Sequence, residues 1–99
     1  MITVYHNKRF TDLAMASYTS DIGEKFKELE CQHSLEKVAE VQTDDLDDAF
    51  RDTNHIDRAW YENDNVKVIK ESRSTSVGDV MELGGKRFIV ASLGFKELI

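Results

Sequence analysis

The paired glycines Gly84-Gly85 constrain this chain more than any other feature. They lie between two apolar runs that end at Leu83 and resume after Lys86. A two-residue glycine connection is a hairpin signal, because the favoured tight turn needs positive φ at both central positions. The short loop also dictates register: Leu83 faces Lys86, Glu82 faces Arg87, Met81 faces Phe88 and Val80 faces Ile89. The Glu82–Arg87 pair joins opposite charges and Met81–Phe88 joins apolar groups, each worth ~0.2–1 kcal/mol across a sheet.

Other strands follow from residue type. Ile2, Val4 and His6 alternate with Thr3 and Tyr5, so residues 2–6 are expected to be extended. Residues 36–42 place Val38 and Val41 out of strict alternation, yet their position just before a helix start suggests a strand. Val66, Val68 and Ile69 suggest a third. Leu93, Gly94 and Phe95 make a final turn, with Phe95 and Leu98 returning to the core. Residues 7–34 are the least legible. Leu13 to Tyr18 suits either a strand or a short helix, and Phe26 with Leu29 suggests a helical turn within 24–30.

The clearest helix is expected from Asp44 to about Ile56, with Thr43 as its N-cap. At about 100° per residue, Leu46, Ala49, Phe50, Thr53 and Ile56 share an arc of about 120°. Asp44, Asp47, Asp48, Arg51 and Asp52 lie on the other side. Asp47 and Arg51 are spaced for an i,i+4 ion pair. These elements add up to an α+β fold: a small, mostly antiparallel sheet packed on one face by this helix, in a single domain over residues 1–99.

Charge is concentrated in one place. The chain has 99 residues and a net charge of −6, but residues 40–64 hold nine acids against two arginines, a local −7. An acidic centre argues against direct binding of nucleic acid, which needs clustered Lys and Arg. The lone Cys31 allows no internal disulfide and suggests a reducing, cytoplasmic setting. The N-terminus lacks the apolar run of a signal peptide, and no segment approaches the ~20 residues of a membrane helix.

Chemistry is sparsely marked. Asp44 to Asp48 lacks the glycine and terminal glutamate of a calcium loop. Cys31 and His33 lack a second pair for zinc, and His6, His33 and His55 are scattered. No metal or other cofactor is expected. Ser74, Thr75 and Ser76 follow Arg73 in a loop, without a nucleophile elbow or Ser-x-x-Lys motif. Such hydroxyls usually cap turns, and Ser76 with Asp79 has the spacing of a capping box around Gly78, in a turn or single helical turn at 76–80. Arg73 suits a phosphate or carboxylate ligand, or a pairing with Glu71 or a helix aspartate. Trp60 and Tyr61, in a polar loop over 57–65, suit either a binding hot spot or a plug for the core.

The stretch from Arg73 to Val80, RSTSVGDV, followed by a hairpin and Gly94-Phe95, resembles the YodL-like domains, small proteins of bacteria, bacteriophages and other mobile elements. Upstream, DDLDDAFRDTNHIDRAW is similar to the matching part of those proteins, with an acidic helix entry, an aromatic–arginine pair and an Asn near a Trp. The resemblance spans about residues 36–96. It implies a setting, a small accessory protein of a phage or mobile element, and assigns no catalytic role.

The expectation that follows is a non-enzymatic protein–protein interaction module. Its contact residues would be Asp44, Asp47, Asp48, Asp52, Trp60, Tyr61 and Arg73, facing a host or phage protein with a basic surface. Two alternatives stand beside it: a DNA-mimicking inhibitor of a nucleic-acid-binding protein, and a small ligand-binding or enzymatic domain around residues 73–79.

Overall fold

A computed structural model describes residues 1–17, 21–56 and 58–98. Tyr18, at the end of the ambiguous 13–18 segment, and Asp57, at the start of the aromatic loop, lie outside them. The strands are β1 (Ile2–Asn7), β2 (Leu35–Val41), β3 (Val66–Val68), β4 (Val80–Leu83), β5 (Lys86–Val90) and β6 (Phe95–Leu98), and the helices are α1 (Phe10–Ala16), α2 (Ile22–Glu28) and α3 (Leu46–Asp52). Short 3-10 turns cover Cys31–Ser34 and Trp60–Glu62. The strands form one antiparallel six-stranded sheet in the order β3-β2-β1-β4-β5-β6.

The hairpin register is the expected one at all four pairs, from Val80–Ile89 to Leu83–Lys86. Gly84 and Gly85 both have positive φ, 60° and 80°, as a twist-compatible two-residue turn requires. Arg87 Nε donates to Glu82 Oε1 at 2.9 Å across the pair.

The irregular valine spacing of β2 has a backbone cause. Val4 pairs with Ala39 but Tyr5 pairs with Lys37, so Val38 is an extra residue in a β-bulge. The bulge shifts the side-chain parity, so that Val38, Ala39 and Val41 are all buried.

Both faces of the sheet are covered, where only one was expected to be. Ile2, Val4, Met81 and Val90 pack on one face with Ala49 of α3 and Trp60. Val80 and Ile89 point the other way, onto Leu13 of α1, Ile22 and Phe26 of α2, and Cys31. The ambiguous segment around Leu13 is therefore a helix within the described residues, and the helical turn around Phe26 is part of α2. Asp21 starts α2 by accepting a hydrogen bond from Glu24 N at 3.0 Å.

α3 is shorter than the expected 44–56. Its N-cap is Asp45, not Thr43: Asp45 Oδ1 accepts from Asp47 N at 2.8 Å and from Asp48 N at 3.3 Å. Thr43 Oγ1 instead accepts from Asp45 N at 3.1 Å, two residues too early to cap the helix. At the far end the Thr53 hydroxyl donates back to Ala49 O at 2.8 Å, and the helix stops there. Leu46, Ala49, Phe50 and Thr53 do face inward, but Ile56 lies past the end and is 66% exposed. Arg51 reaches Asp48 at 2.6 Å rather than Asp47, an i,i+3 pair.

Candidate functional site

The loop from Ser72 to Asp79 is the polar centre of the molecule. Asp79 has no exposed surface and accepts four hydrogen bonds. Arg73 donates to both of its oxygens, Nη1 to Oδ2 at 2.7 Å and Nη2 to Oδ1 at 2.8 Å. Asn7 N and Ser76 N each donate to it at 2.7 Å. A carboxylate taken out of water needs this degree of compensation. The Arg73 guanidinium also lies 3.7 Å from the centre of the Phe10 ring. Arg73 therefore pairs neither with Glu71 nor with a helix aspartate, and its fork is already filled.

The turn at 76–79 keeps the acid half of the expected capping box, while the Ser76 carbonyl takes the place of its hydroxyl. The Asp79 carboxylate reaches back to Ser76 N, while Asp79 N donates to Ser76 O at 3.0 Å. Gly78 has φ +96°, and a Cβ there would stand 3.4 Å from the Phe10 backbone, so α1 packs directly on this turn.

A second network begins at His6. The third inward position of β1 is buried, and both ring nitrogens find hydroxyls: Nδ1 lies 3.2 Å from Ser72 Oγ and Nε2 lies 3.0 Å from Thr75 Oγ1. The Thr75 hydroxyl donates to Thr53 Oγ1 at 2.8 Å, and Thr53 donates to Ala49 O. A carbonyl only accepts, so the direction of the chain is determined. Thr75 has spent its proton and accepts from His6 Nε2–H, and in the neutral ring Nδ1 accepts from Ser72. Burial lowers the imidazole pKa from 6.5 to about 4; Asp79, with Oδ2 4.0 Å from Nε2, and Glu36 oppose that shift, and Arg73 adds to it.

The same loop is stitched to the end of α3 and to Trp60. Thr75 N donates to Thr53 O at 2.9 Å, and His55 N donates to Ser74 Oγ at 2.8 Å. Trp60 Nε1 donates to Ser72 O and Arg73 O, both at 2.9 Å. Trp60 has no exposed surface. It is a core plug whose indole N–H anchors the loop, which corrects its assignment to a contact surface.

The seven candidate residues fall into four places. Asp44 and Asp47 are exposed and Asp48 partly so, at the start of α3. Asp44 accepts from the Met1 amine at 2.8 Å. Asp52, at the other end, is half-buried and accepts from Asn65 Nδ2 at 2.7 Å. Tyr61 is half-buried, edge-on to His55 at 5.9 Å and to Trp60 at 5.5 Å. Arg73 and Trp60 belong to the internal network. Sequence reasoning missed His6, Asn7, Thr53 and Asp79 as its members. One signal was present: His6 continues the inward parity of Ile2 and Val4, and an imidazole on a core face needs partners.

His6, Ser72 and Thr75 have the residue types of a hydrolytic site, but their protons are committed to one another and to Ala49 O. Every buried side-chain polar atom among the described residues has a partner. Among those residues, no group of three His, Cys, Asp or Glu side chains is placed to hold a metal ion. None of their helices is long and apolar enough to cross a membrane. Comparison with protein families, with curated proteins and with solved structures found no match.

Proposed function

We propose that this chain is a protein–protein interaction module, a small acidic accessory protein of the kind phages and mobile elements encode. In this reading it acts in the cytoplasm on a partner with a basic surface. The observation that carries the proposal is the exposure of Asp44, Asp47 and the edge of Asp48 in a segment of charge −7, while the 72–79 loop is sealed by its own bonds. Charge presented this way steers encounter with a basic surface and raises association rates at low salt. The contact patch is narrower than the sequence suggested. It keeps Asp44, Asp47 and Asp48, loses the buried Trp60 and the paired Arg73, and gains the exposed Ile56. Beside Ile56 lies a groove of about 490 Å³ that also includes Arg51, Asp52 and Arg58. A phosphate-row mimic finds less support, because Asp48 is tied to Arg51 and Asp52 to Asn65.

The test is co-purification from host lysate with the wild-type chain and with Asp44→Lys/Asp47→Lys/Asp48→Lys. A partner held by wild type, released by salt and lost by the triple variant supports the proposal. Retention of every partner by the charge-reversed protein refutes it. Competition of the captured partner by duplex DNA would favour the mimic instead.

A further inference from the structure

We draw no further inference here: the strongest candidate, the trough between α2 and the edge strand β6, is lined by side chains of both charges, among them Asp21, Glu24, Lys27 and Glu30, and nothing in the structure shows what covers it.

Discussion

Lowering the pH should destabilise this protein through one residue, His6. Its imidazole is 3% exposed and neutral, with a pKa near 4 in the fold and 6.5 as the ordinary value. Below pH 6.5 the unfolded chain takes up a proton that the folded chain refuses. Stability from this source is therefore complete above pH 6.5, declines as the pH falls, and levels off below about pH 4. The full difference of about 2.5 pH units corresponds to about 3 kcal/mol, and about 2 kcal/mol of it is lost between pH 7.5 and 5.0. The structural reason is burial of the ring, which disfavours its charged form. A proton on Nδ1 would turn the Ser72 contact from acceptor to donor, beside the Arg73 guanidinium. Urea unfolding of wild type and His6→Gln at the two pH values isolates the effect, because every other ionisable side chain is common to both proteins. Wild type should lose about 2 kcal/mol more than the variant over this interval. Parallel losses, or an NMR titration of His6 with its midpoint near 6.5, would refute the neutral buried imidazole.

Two further substitutions test the remaining local arguments. Arg73→Ala should cost about 3 kcal/mol in urea unfolding, because it leaves the buried Asp79 carboxylate without its fork. Arg73→Lys should recover less than half of that, since a single ammonium replaces neither the two-pronged contact nor the stack on Phe10. Asp45→Ala should lower stability by about 1 kcal/mol, and Thr43→Ala by clearly less, if Asp45 caps α3. Equal losses in thermal unfolding would return the cap to Thr43.

The parts of the fold that could be read in advance are those governed by local rules. The Gly84-Gly85 loop left one register open, and every cross-strand pair followed from it. The inward stripe of α3 was legible because Leu46, Ala49, Phe50 and Thr53 are set by helix geometry alone. Its ends were not, because Thr43 and Asp45 are both good caps and the choice depends on where the bulged β2 delivers the chain. α1 and α2 are no shorter than α3, but α1 buries only Leu13 and α2 only Ile22, Gly23 and Phe26, too few apolar positions for a helical period to stand out, and they are held by packing on Val80 and Ile89. The Arg73–Asp79 and His6–Thr75 contacts needed the tertiary fold. Arg73 and Asp79 meet only once Gly78 has turned the chain, and His6 lies 69 positions from Thr75.

The sealed loop also bears on where function can reside. An arginine, a histidine and hydroxyls drawn together would ordinarily suggest chemistry, yet here the buried donors and acceptors are spent on joining β1, α3, Trp60 and the 76–79 turn. Opening that cluster to a substrate would uncover the Asp79 carboxylate and release the end of α3 together, so it is poorly suited to a reaction that must open and close. The contact patch proposed above lies apart from this cluster. The acidic start of α3 lies on the face of Met81 and Val90, where Ala49 anchors the helix to the sheet, and its exposed carboxylates can meet a partner without disturbing the cluster beneath.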